Sequence, residues 1–104
     1  MASIRVCTVS QVPELGAARF EVDGRQVAIV NLGAGGFRAI DAVCSHEHAW
    51  LDEGDVDADE ATIECPKHGS CFDLDSGRPR TLPAIAPVNV YPVTVNDDEI
   101  MIEV

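Results

Sequence analysis

The sequence predicts an all-β sandwich or barrel. Short apolar runs recur at close spacing, turn residues punctuate them, and no segment sustains a 3.6-residue apolar period. Ile4, Val6 and Thr8 alternate with Arg5 and Cys7, which reads as a first strand. Val12-Pro13-Glu14-Leu15-Gly16 reads as a loop. Arg19 to Val22 and Gln26 to Leu32 form a hairpin about Asp23-Gly24, a pair suited to a tight turn because both residues tolerate positive φ. Gly33-Ala34-Gly35-Gly36 turns the chain again, and Phe37 to Val43 follows as a further strand. Val88 to Val95 is β-rich, but its alternation changes phase at Tyr91-Pro92. Proline lacks the N–H of a ladder bond, so a bulge or an edge position is expected there. Asn96-Asp97-Asp98 is a turn, and Ile100, Ile102 and Val104 line one face of the last strand.

The 104 residues suffice for one small domain. A chain of this size buries only ~60–65% of its unfolded surface. Aromatic content is 5%, so a bound metal or cofactor would help to hold the thin core. Seven basic against eighteen acidic residues give a net charge of −11, which argues against nucleic acid and anionic membrane as partners. No apolar stretch approaches the ~20 residues of a membrane span. The start, Met-Ala-Ser-Ile-Arg-Val, has neither an apolar export segment nor twin arginines, so the expected compartment is the cytoplasm, where thiols stay reduced.

The four cysteines are Cys7, Cys44, Cys65 and Cys71, and the three histidines are His46, His48 and His68. Residues 44–75 hold every histidine, three of the cysteines and the acidic run Asp52 to Glu60. This stretch reads as an insert in a single domain whose base is residues 1–43 and 76–104. Two mixed pairs stand out, Cys44-Ser45-His46 and Cys65-Pro66-Lys67-His68. Two thiolates and two imidazoles can close a tetrahedral zinc site, although structural zinc favours unmixed C-x₂₋₄-C and H-x₃₋₅-H pairs. The same four groups can instead divide between the two irons of a 2Fe–2S cluster. The donor chemistry leaves both open.

The flanking residues narrow the choice. C-S-H-x-x-A-x-L-x-x-G, then C-P-x-H-G-S-x-F-D, Gly77 and Pro83, together resemble the Rieske 2Fe–2S family over effectively the whole chain. The closest resemblance is to the small ferredoxins of bacterial ring-hydroxylating dioxygenase systems. It implies a Rieske-type antiparallel β-sandwich or barrel with a small inserted cluster-binding subdomain. It also implies one 2Fe–2S cluster, with Cys44 and Cys65 on the inner iron and His46 and His68 on the outer one. Respiratory and photosynthetic members carry two more cysteines that cross-link the ligand loops. The matching positions here are Ala49 and Lys67, so that disulfide is absent. Ser70 is expected to donate to a bridging sulfide or to close its own loop. Phe72 replaces a tyrosine that donates to a cysteine sulfur in high-potential members. His48 reads as a solvated rim residue, Cys7 as a small core or edge residue and Cys71 as a packed thiol. Trp50 reads as part of an exposed docking tip near Pro83 and His68, because Ala49 and Leu51 point inward.

With neutral imidazoles, two ferric ions, two sulfides and two thiolates sum to zero charge. A four-thiolate cluster is two charges more negative, so an electron enters a Rieske centre more easily. A mononuclear oxygenase iron needs two histidines and a carboxylate. Only His48 is left once the cluster is assigned, so the chain reads as a carrier and not a catalyst. The expected function is one-electron transfer from a flavin-containing reductase to a terminal aromatic-ring oxygenase, by a monomer. The alternatives are an accessory ferredoxin for iron–sulfur assembly and a small subunit of a nitrite reductase-like enzyme.

Overall fold

The computed structural model describes residues 3–45, 48–67, 69–82, 84 and 86–104. Among the described residues, ten strands form three antiparallel sheets and there is no α-helix. The strands are β1 (Ser3–Thr8), β2 (Ala17–Val22), β3 (Arg25–Asn31), β4 (Phe37–Asp41), β5 (Val56–Asp57), β6 (Thr62–Glu64), β7 (Cys71–Asp73), β8 (Val90–Tyr91), β9 (Val93–Asn96) and β10 (Glu99–Glu103). The sheet orders are β2-β3-β4-β8, β1-β10-β9 and β5-β6-β7.

The central sheet is covered on both faces, and β3 shows why. Its run Val27-Ala28-Ile29-Val30 is apolar throughout and fully buried. Ala28 and Val30 join one cluster with Ile40, Leu51, Ile63, Phe72 and Leu74. Val27 and Ile29 join a second with Cys7, Ala39, Tyr91, Ile100 and Ile102. Since successive strand residues face opposite sides, a strand buried on both faces cannot alternate polar with apolar. The first cluster carries the sheet of β5 to β7, and the second packs the sheet of β1, β9 and β10.

The turn chemistry acts as expected. Asp23 and Gly24 have φ of 52° and 78°, the left-handed pair of a type I′ hairpin between Val22 and Arg25. In the turn between Asn96 and Glu99 only Asp97 is left-handed, at φ 55°. Pro92 is where the chain leaves the central sheet after β8 and enters the other as β9. The phase change at Tyr91-Pro92 is thus a change of sheet. Tyr91 Oη donates to Asp41 Oδ1 at 2.6 Å and pins the short β8 to β4. One detail departs from simple alternation. A register shift between Arg5 and Cys7 turns Cys7 fully into the core, while Ile4 and Val6 are only half-buried.

Candidate metal centre

Two loops built alike rise from the first cluster. Cys44 N donates to Ala49 O at 2.9 Å, Leu51 N donates to Ala42 O at 2.7 Å, and Val43 bridges Trp50. Cys44 and Ala49 are thereby paired at the base of the first loop. The second loop repeats the device: Cys65 N donates to Ser70 O at 2.7 Å and Gly69 N to Cys65 O at 3.0 Å. Gly69 has φ of 76°, which an L side chain adopts only under strain. Cys44 (5% exposed) and Cys65 (1%) lie at the feet of the two loops within one apolar cluster that includes Ala49, Leu51, Phe72 and Ala84. Ser45, His48, Pro66 and Lys67 lie outward and are exposed. His46 and His68, the expected imidazole ligands, and Pro83 fall outside the described residues.

A third segment joins both loops. Ser45 Oγ donates to the carbonyl of Ala86, and Ala84 N donates to Ser70 Oγ at 3.0 Å. Thr81 Oγ1 accepts the Cys71 N–H at 2.8 Å and lies 3.4 Å from Gly69 O. Ser70 is buried, and its oxygen closes the loop by accepting a backbone N–H. Its own hydrogen is left to donate in another direction. Phe72 is fully buried and adds no polar donor. Cys7 and Cys71 are both unbridged: Cys7 sits in the second cluster, and Cys71 is half-buried in β7 with Sγ 3.9 Å from Gly69 O. Burial raises the Cys7 thiol pKa, and nearby Arg5 opposes the rise.

Trp50 is half-buried and not a freely exposed tip, whereas Ala49 and Leu51 point inward as expected. The Arg19 guanidinium covers its ring at 3.8 Å, and the His48 ring is 6.3 Å away. Arg19 Nη1 also lies 3.6 Å from Asp52 Oδ1, an oxygen that is buried and without a hydrogen bond among the described residues. Burial raises the Asp52 pKa, opposed chiefly by Arg19. The rest of the acidic run is mostly solvated, with Asp57 Oδ1 accepting the N–H groups of Asp59 and Glu60.

The chain belongs to the Rieske [2Fe-2S] domain family, whose model matches residues 2–92. The 3-phenylpropionate/cinnamic acid dioxygenase ferredoxin subunit of Photorhabdus laumondii is 40% identical over all of this chain and 96% of that protein. The ferredoxin of carbazole 1,9a-dioxygenase from Nocardioides aromaticivorans IC177 superposes with a TM-score of 0.90 at 37% identity, covering 98% of this chain and 97% of that one. A ferredoxin solved in complex with the oxygenase of carbazole 1,9a-dioxygenase superposes with a TM-score of 0.84 at 32% identity, covering 96% and 91%. The protein is a Rieske-type ferredoxin, an electron carrier and not a catalytic enzyme, and its cofactor is a [2Fe–2S] cluster. The described residues fit that cofactor. Two buried thiols share one apolar cluster, the backbone of each loop is closed next to its cysteine, and Ser70, whose carbonyl accepts the Cys65 N–H, is tied by its hydroxyl oxygen to the neighbouring segment.

Proposed function

We propose that Cys44, His46, Cys65 and His68 hold one 2Fe–2S cluster, the thiolates at the buried iron and the imidazoles at the outer one. The observation that carries this reading is the pair of matched loops, each with a buried cysteine at its foot in the same apolar cluster. When bound, the cluster takes up and releases one electron. The protein's part is to exclude water from the thiolate end, to orient the loops and to present the histidine end to a partner. We read residues 44–75 as the cluster-binding insert on a base of residues 1–43 and 76–104.

The partners follow from the same reading. The chain receives electrons from a flavin-containing, nicotinamide-linked reductase and delivers them to a terminal aromatic-ring oxygenase. It works as a cytoplasmic monomer. The relative solved in complex with its oxygenase supports the second half of that route. Among the described residues no helix is long and apolar enough to cross a membrane.

The test is ligand replacement with iron and labile sulfide assays and visible and EPR spectra. Cys44→Ser, Cys65→Ser, His46→Ala and His68→Ala are each expected to lose the cluster, with stability falling because ligation supports the thin core. His48→Ala is expected to keep two irons and two sulfides per chain. A colourless wild-type protein with stoichiometric zinc, or cluster loss on His48→Ala alone, overturns the assignment.

A further inference from the structure

Residues 80, 81 and 84 attach in order along the second ligand loop. Arg80 N donates to Cys71 O at 2.6 Å, Thr81 Oγ1 accepts from Cys71 N, and Ala84 N donates to Ser70 Oγ. The only charged side chain among these three is Arg80, and it is held at two points. Its Nη2 and Nε donate to Asp73 Oδ2 at 2.7 and 3.2 Å, and its Nη1 donates to Glu60 Oε1 at 2.9 Å. Asp73 in turn uses Oδ1 to accept the N–H groups of Asp75 and Ser76, which shapes the turn after β7. Isolated surface ion pairs contribute little. A guanidinium with three charge-assisted bonds to two carboxylates fixes direction as well as distance.

The geometry points to Arg80, anchored by Asp73 and Glu60, as a positioning residue that sets the Ser70 hydroxyl and through it the reduction potential. The chain of contacts is short. The clamp fixes where the segment from residue 80 begins, and that segment places the Ala84 N–H on Ser70 Oγ. With one lone pair of Ser70 so engaged, its hydrogen is turned away from Ala84. Release of the clamp lets the hydroxyl reorient and weakens its donation to sulfur, and such hydrogen bonds raise the potential. The inference rests on the ligand reading above.

The experiment compares Arg80→Gln, Glu60→Gln and Arg80→Lys, each in the wild-type and Ser70→Ala backgrounds. Potentials are read by protein-film voltammetry and cluster environment by EPR. High salt, with a Debye length of about 3 Å at 1 M, suppresses direct charge effects. Arg80→Gln and Glu60→Gln remove charges of opposite sign, so a direct field effect moves the potential in opposite directions. The clamp instead predicts that both lower it and alter the EPR spectrum, that Arg80→Lys restores part of the loss, and that none shifts the Ser70→Ala protein. A rise on Glu60→Gln, no shift in either variant, or equal shifts in the Ser70→Ala background overturns it. If Arg80→Gln fails to load iron, the more peripheral Glu60→Gln decides alone. Iron and sulfide content of the wild type and of Cys65→Ser, assayed first, separates failure of the ligand reading from failure of the clamp.

Discussion

A Cβ at Gly54 would lie 1.6 Å from the carbonyl oxygen of Glu64, the residue before Cys65. Gly54 ends the turn that begins at Leu51, just after the loop that follows Cys44, so its hydrogen is what lets that segment approach the backbone before Cys65. Gly77 has a similar duty: at φ 78° its Cβ would meet Val88 O at 2.0 Å. Neither neighbour is a flexible side-chain end, so backbone must move. Gly54→Ala is therefore expected to cost about 1–3 kcal/mol, the range for forced overpacking, and to lower iron occupancy because the displaced atom adjoins a ligand loop. Thermal unfolding together with iron content checks this; an unchanged Tm with full occupancy would contradict the contact. Glycine at both positions was visible in the sequence as part of the double motif, but the close approach at Gly54 was not. It arises between residues ten apart whose meeting depends on the β5–β6 hairpin.

At the level of elements, the short turn Leu51–Glu53 is held against β2 by one arginine. Arg19 stacks on Trp50 and neutralises Asp52, whose buried oxygen has no hydrogen bond among the described residues. Arg19→Ala is expected to destabilise by about 1–3 kcal/mol, because it leaves a desolvated carboxylate without compensation. Trp50→Ala removes a half-buried aromatic beside the exposed His48. It is expected to slow electron delivery to the oxygenase while leaving the visible spectrum unchanged; stopped-flow reduction of the oxygenase reads this, and an unchanged rate removes Trp50 from the docking face. Hairpins and their turns were legible because Asp23-Gly24, the 33–36 glycines and Asn96-Asp97-Asp98 act locally. The two cysteines proposed as ligands stood out for the same reason, since each proposed Cys–His pair sits in its own local motif. The Arg19–Trp50–Asp52 stack and the Arg80–Asp73–Glu60 clamp were not. Their members are far apart in the chain or interchangeable with other surface charges, and periodicity carries no information on which cation meets which carboxylate. Asp73 alone had a local sign, the aspartate of Phe72-Asp73 followed by Ser76-Gly77, which suits a side-chain-capped turn.

Over the whole molecule, individual carboxylates shape the acid response, and the charge of −11 adds only a diffuse contribution to the redox poise. Two carboxylates act in opposite senses. Asp73 is held below the ordinary carboxylate range, first by its hydrogen bond to Arg80, so it adds stability above the unfolded pKa of about 3.9 that is lost as pH falls through its lower folded value. Asp52 is raised by burial, so its ionised form weakens the fold near neutrality, and that penalty fades as pH falls through its raised value. Asp52→Asn is expected to flatten stability between that raised value and about 3.9, and Arg80→Gln to soften the loss below it. Urea midpoints against pH, each variant relative to wild type, would reveal a reversed sign. The potential is governed by hydrogen bonds to sulfur, local charge and solvent exposure. Phe72 has no hydroxyl, and no disulfide binds Ala49 to Lys67 between the loops. Leu82, 76% exposed, and exposed Ala86 and Pro87 show that much of the neighbouring segment is itself open to solvent. The diffuse negative field also opposes reduction, though salt screens it beyond ~10 Å. The Ser70 hydroxyl, expected from the family resemblance to donate to sulfur, acts the other way. The expected potential is at the low end of the Rieske range, about −150 mV, suited to a donor linked to nicotinamide and not to quinol. Ser70→Ala should lower it further. Phe72→Tyr should raise it where the hydroxyl reaches a cysteine sulfur, with a lower Tm because the ring is fully enclosed. Protein-film voltammetry near neutral pH decides, and a wild-type value well above zero contradicts both the donor count and the proposed place in the electron route.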